Sequence, residues 1–463
     1  MNLLSLPWAE LCVLLPFIGV VVVGFVRDPA IAGRWTLGFN AVVFICSVMP
    51  WVALQSGLAS GPFFAVDGLT APLLPLVALL HLLTVLATAR VKRNRMSFGG
   101  HLAGEGLWLG TFAAAPSAPW LLVLFLIFGT LPPLIELWKR GKPIRVYALH
   151  MAAFTVLLAT GWAAVKADST IVGAVLLSLA VLVRSGTAVV HLWVADLFQH
   201  ASFGTALLYV APLAGVYAAL RLVIPIAPEW VLEGIGLASL ITAVYAAGLA
   251  AVQYDARRFF AYLVLSHTSL VMVGLEIHTA ISLTGALCLW ASVAISLVGL
   301  GITLRAVEAR HGRLTLTGYR GFYDESPSLA VGFLLMGLGS VGFPATFGFV
   351  AAELLVDGAI TADPAVAVGI VAAAALNGIA VVRAYLALFT GVRHSSPLPF
   401  GITIRERIAV LTLAVIILGC GIYPQPFVAA CHASAESILD RRATRIVERV
   451  DERSDVISGF SRP

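Results

Sequence analysis

Apolar runs of about 20 residues recur from one end of this chain to the other, and no other feature of the sequence limits the fold as severely. A helix of ~20 residues crosses ~30 Å of hydrocarbon, and within hydrocarbon every backbone polar group needs an internal partner. The expected fold is all-α, a polytopic membrane protein of about fourteen transmembrane helices. The runs fall at 4–26, 35–57, 69–89, 102–116, 119–138, 146–165, 170–190, 204–225, 231–252, 258–277, 280–304, 329–350, 364–390 and 407–425. A β-barrel would show segments of about ten residues with alternating polarity, and none occurs. The first run has neither a basic leader nor a small-residue cleavage site, so it reads as a retained span. Only 11% of the 463 residues are charged, and the net charge of +5 fits basic membrane loops rather than a nucleic-acid partner. The five cysteines form no CxxC pair, and no metal or cofactor site is expected in the chain.

The charges follow the same segmentation. Arg27 and Arg34 come after the first run, Arg90, Lys92, Arg93 and Arg95 after the third, and Lys139, Arg140, Lys142 and Arg145 after the fifth. Arg257 and Arg258 follow the ninth, Arg305, Arg310, Arg313 and Arg320 the eleventh, and Arg393, Arg405 and Arg407 the thirteenth. Connections after even runs carry Asp67, Asp168, Glu229, Glu233, Asp357 and Asp363, with Lys166 as the clear basic exception. The positive-inside bias makes the odd connections cytoplasmic and puts both termini on the outer side.

Two runs contain helix breakers deep in apolar sequence: Ser185 and Gly186 in the seventh, and Gly342, Pro344 and Gly348 in the twelfth. Unwound backbone at membrane depth survives only where protein or a wet cavity satisfies it, and broken helices at matching places in two halves point to inverted repeats. The expected organisation is residues 1–100 with helices one to three, 101–226 as a first five-helix repeat, 227–392 as a second, and 393–463 as the last helix with a charged amphipathic tail. That tail reads either as a solvated surface helix or as a docking segment for a partner.

At this point five motifs, in collinear order over roughly residues 60–430, carry a resemblance. They are "VDGLT" at 66–70, "RSGTAVVHLWVADLFQHAS" at 184–202, "QYDARRFFAYLVLSH" at 253–267, "SVGFPATFGFVAAE" at 340–353 and "GIYPQPF" at 421–427. The chain resembles the antiporter-like proton-translocating subunits of complex I, membrane-bound hydrogenases and Mrp-type antiporters. The resemblance implies a bacterial inner-membrane subunit of a multisubunit complex, in which buried charges pass protons or cations at mid-membrane.

The sequence departs from the family's charge set. No acid stands at 121–135, where the family has a glutamate near Gly129, and Leu213 or Pro212 stands where a lysine is expected. The seventh-span lysine is Arg184, which stays protonated and relays poorly. A charge at mid-membrane costs ~3 kcal/mol, so Arg184 needs an interior partner, for which Asp196 and Glu353 are the candidates. His150, His191, Asp196, His267, Glu353 and Arg383 complete the candidate ion pathway with Arg184. His150 and Glu353 read equally as relay or as structural groups, and His200 as an interface residue at the cytoplasmic rim. Glu136 reads as an interfacial ion pair or a displaced fifth-span acid, and His81 and Glu105 as structural or interfacial.

The missing charges lean the reading toward a diverged branch similar to the membrane subunit of two-component inorganic-carbon uptake systems, with a large soluble zinc-containing partner resembling carbonic anhydrase. A proton-pumping subunit of a respiratory complex and a non-conducting anchor are the alternatives. No catalytic centre is expected in the chain itself.

Overall fold

The computed structural model describes residues 6–55, 61–89, 96–211, 213–277, 279–391 and 401–460, with side chains omitted at 55 and 445–460. Arg90, Lys92, Arg93, Arg95, Pro212 and Arg393 of the sequence reading lie outside the described residues. The protein is all-helical. In order come α1 (Trp8–Gly24), α2 (Pro29–Gln55), α3 (Thr70–Leu86), α4 (Phe98–Ala113), α5 (Pro119–Phe128), α6 (Leu131–Lys139) and α7 (Arg145–Lys166). Then follow α8 (Thr170–Ser185), α9 (Leu192–His200), α10 (Phe203–Val210), α11 (Ala214–Ala218) running into a π-helical turn (Ala219–Val223), α12 (Glu229–Val252) and α13 (Ala256–Glu276). The chain closes with α14 (Ala280–His311), α15 (Pro327–Ser340), α16 (Phe347–Ala362), α17 (Pro364–Phe389), α18 (Ile404–Ile422) and α19 (Gln425–Phe460).

Each expected segment falls on one helix or on a helix in pieces. Among the described residues, eight helices are long and apolar enough to span a bilayer alone, or nine if the bent pair α18–α19 is one span. The apolar stretches of α13 and α14 are wholly buried, which is what helices apolar on every face require. They form the centre on which α12, α15, α16 and α17 pack.

The breaks foreseen at the seventh and twelfth segments are present, and they share a backbone signature. Gly186 has φ 72° and Val189, three residues on, φ 80°; Gly342 has φ 82° and Ala345, three residues on, φ 69°. Glycine adopts the left-handed region at no steric cost, so each break opens on the residue that makes it cheap. Two further breaks were not foreseen. One splits the fifth segment, where Pro132 and Pro133 open α6 and their missing N–H groups suit a helix start rather than a continuation. The other lies in the eighth, where Leu213 has φ 53°.

The last helix packs on the chain where it begins. α19 turns 78° from α18 and lies against α14, with Cys431 and Ala435 buried and Thr284 Oγ1 3.1 Å from His432 Nδ1. Its first part docks on its own chain. The eleventh segment is longer than its apolar run, because α14 continues through Arg305, Glu308 and Arg310 to His311.

Candidate ion pathway

Breaking a helix frees carbonyls, and in hydrocarbon each needs a donor. All four breaks recruit a side chain for this. Tyr147 Oη donates to Thr130 O at 2.9 Å, Trp193 Nε1 to Val183 O at 2.9 Å and Arg184 Nη2 to Tyr209 O at 3.1 Å. At the fourth, His267 Nε2 stands 2.8 Å from Ser340 O. Arg184 and His267, two of the groups that marked the pathway in the sequence, are therefore placed first by the backbone they hold.

Arg184 illustrates the point. Its guanidinium carbon lies 4.1 Å from the ring centre of Tyr209, 5.5 Å from Trp193 and 5.6 Å from Trp108. Such a desolvated cage is worth ~2 kcal/mol or more of cation–π attraction. The expected carboxylate partners are corrected here. Asp196 points to His200, with Oδ1 3.1 Å from Nδ1, and Glu353 lies exposed on α16. The aromatic rings and one carbonyl do what a carboxylate was expected to do.

Asp196, His150, His191 and His200 form a second group on the facing helices α7 and α9. His150 lies within electrostatic reach of both His191 and Asp196. Asp196 Oδ2 and His191 Nδ1 are buried with no hydrogen-bond partner among the described residues. The His191 ring sits 5.5 Å from Tyr245 and 6.1 Å from Tyr262. His200 and Asp196 are in contact, and His191 stands at the start of α9, at the break.

His267 belongs to the other half. Its Nδ1 is 2.8 Å from Leu263 O and its Nε2 2.8 Å from Ser340 O. Carbonyl oxygens only accept, and a neutral imidazole carries one N–H. A neutral ring therefore satisfies one of these carbonyls, and a doubly protonated ring satisfies both. Beside it, Asn377 Nδ2 donates to Ser266 Oγ at 2.8 Å, and Ser266 Oγ to Ala243 O at 2.8 Å. Arg383 stands apart and closes the end of α12, donating from Nη1 to Ala251 O and Gln253 O at 2.8 and 2.9 Å.

Other charged groups went unread or half-read in the sequence. Glu136 pairs with Arg140 at 2.8 Å, and it also accepts from Ser202 N at 2.7 Å and from the Thr205 hydroxyl, so it anchors the start of α10 as well. Arg257 Nε donates to Glu308 Oε2 at 2.6 Å while its Nη1 holds Phe198 O and Ala201 O, clamping the end of α9 to α13 and α14. The clamp was hidden because the apolar run ends at 304, before Glu308. Glu105 and Glu276 are buried with both carboxylate oxygens unpartnered among the described residues.

Fold and site together define an integral membrane protein whose broken helices are capped by titratable and cationic side chains. Residues 146–377 match the family described as NADH:quinone oxidoreductase/Mrp antiporter, TM, and the chain belongs to that family. NADH-quinone oxidoreductase subunit 13 of Thermus thermophilus is 28% identical over 419 residues, covering 81% of this chain and 84% of its own. Subunit M of the Pseudomonas aeruginosa enzyme is 27% identical over 516 residues, covering 94% and 97%. A chain of respiratory complex I from Thermus thermophilus with bound NADH superposes with a TM-score of 0.83 at 23% identity, covering 94% of this chain and 99% of that one. A chain of the Mrp complex from a Dietzia species superposes at 0.79 with 17% identity, covering 97% and 99%.

Proposed function

We propose that this chain carries protons across the membrane as one subunit of a multisubunit complex, with partner subunits supplying or consuming the driving energy. The observation that carries the reading is His267, a buried imidazole with a carbonyl at each nitrogen, one of them at the end of the broken helix α15. Taking up a second proton completes both hydrogen bonds, whereas in the neutral ring only the tautomer with its proton on Nε2 keeps a donor for Ser340 O at the break. Proton occupancy and the geometry of the α15–α16 break are coupled by that one contact. In the first half, His200, Asp196, His150 and His191 supply exchangeable sites, and Arg184 is a fixed positive charge at the end of α8. Coupling through membrane partners is the reading that the complex I and Mrp relatives support. The lean toward inorganic-carbon uptake with a zinc-containing soluble partner draws no support from them. The positive-inside bias puts the face carrying Arg140, Lys142, Arg257 and Arg313 on the cytoplasmic side.

A non-conducting anchor is the second reading, favoured by Arg184, which is held in its cage, and by the lack of an acid at Gly129. Reconstitution of the intact complex in liposomes with an internal pH dye separates the two. The proton reading expects His267→Gln to lower the flux at least tenfold; an unchanged flux contradicts it. Absence of flux in the unsubstituted complex under an imposed gradient favours the anchor.

A further inference from the structure

The ends of α6, α9, α13 and α14 enclose a half-open pocket of about 300 Å³ on the basic face, the lower end of the ~300–1,000 Å³ range of small-molecule sites. Arg140, Lys142, Arg257, Arg305 and Arg313 line it, with Glu308 as the only carboxylate in its wall among the described residues. Two of these cations are neutralised: Arg140 by Glu136 at 2.8 Å and Arg257 by Glu308. Among the described residues Arg313 has Asp255, at 3.9 Å, as its carboxylate partner, and its Nη2 donates to Gln199 O. Half-buried Arg305 spends its bonds on neutral groups, donating to Thr84 O at 3.2 Å and Thr88 Oγ1 at 2.9 Å. Neither Arg305 nor Lys142 makes an ion pair with a carboxylate among the described residues.

A concave wall of one charge sign focuses its field on counter-ions. Guanidinium forks match the oxygens of phosphate in geometry as well as charge, and basic pockets between membrane helices are suited to lipid headgroups. We propose that this pocket binds a phosphate-bearing anion between Arg305, Lys142 and Arg313, supplied either as the headgroup of an anionic phospholipid or as free phosphate. The bound anion neutralises the excess charge where the Arg257 clamp joins α9 to α13 and α14. It therefore ties the two halves of the chain together at this face.

The test uses the purified complex. Native mass spectrometry counts phosphatidylglycerol retained per chain after exchange into phosphatidylcholine nanodiscs, and thermal unfolding with added inorganic phosphate, against chloride at equal ionic strength, probes the free anion. Retained phosphatidylglycerol identifies the lipid source; stabilisation by phosphate alone identifies the free anion. Either result supports the site if Lys142→Gln with Arg313→Gln, both exposed positions, weakens it by roughly fivefold for each charge removed. Arg305→Gln should weaken it further, and if that variant does not fold the double variant decides. The proposal is overturned if neither probe binds better than its neutral or chloride control, or if the double variant binds as the unsubstituted chain does.

Discussion

The two broken helices α8–α9 and α15–α16 open with the same backbone turn and close their freed carbonyls with different chemistry. At the first, Trp193 donates permanently to Val183 O, and Arg184, at the end of α8, donates as permanently to Tyr209 O at the next break, because neither indole nor guanidinium releases a proton near neutral pH. At the second, His267 donates, and the number of its donors depends on its protonation. The same structural need, a side-chain donor for a carbonyl where the helix ends, thus produces a fixture in one half and a switchable contact in the other. A buried charged or titratable residue in such a protein has first to be read as a cap, and only then as a relay.

The contrast has graded consequences. The largest effect is expected at the clamp joining the halves: Arg257→Ala removes the ion pair to Glu308 and the donors to Phe198 O and Ala201 O at the end of α9, lowering stability by about 3 kcal/mol, read by thermal unfolding of the purified complex. Arg184→Lys keeps the charge but loses the planar stacking surface. It should cost about 2 kcal/mol and leave proton flux near that of the unsubstituted complex; a large loss of flux would make Arg184 part of the pathway and erase the contrast. His267→Gln keeps one N–H donor for Ser340 O, so its cost in stability should be about 1 kcal/mol, small beside its effect on flux.

The smallest effect lies outside the spans, at Asp67 in the connection before α3. Burial raises its carboxyl, but Arg221 Nη2 at 2.6 Å and the Thr70 hydrogen bonds more than offset this and hold it below the ordinary carboxylate range. A group depressed on folding contributes stability above its unfolded value, ~3.9 for an aspartate, and that contribution is lost as pH falls through the folded value. Asp67→Asn should therefore cost under about 1 kcal/mol at neutral pH, as a partly exposed pair does. It should also flatten the acid limb of a plot of melting temperature against pH.

Much of this was legible in the sequence, for identifiable reasons. Membrane-spanning helices must satisfy their own backbones, so apolar length alone locates them, and the glycines of two breaks are visible as Gly186 and Gly342. The offsets of His191, Asp196 and His267 also marked real neighbours of those breaks. Side-chain partners were not legible. Whether Arg184 meets a carboxylate or three aromatic rings depends on α4 and α10, about 75 and 25 positions away in the chain. The break at Leu213 shows no glycine of its own, and the one before α6 hid behind prolines that also open ordinary helices. Glu308 was missed because hydropathy ends a segment at the first charges, whereas α14 continues for two more turns beyond its apolar run.

Proton transport by this chain requires His267 to change its proton count at the α15–α16 break. The most direct measurement is ¹⁵N nuclear magnetic resonance of the complex with histidine labelled and His267 assigned by difference from His267→Gln, followed across the physiological pH range. The account predicts a population with both ring nitrogens protonated that exchanges with a neutral ring as pH rises. A single neutral tautomer at every pH at which flux is observed would contradict it.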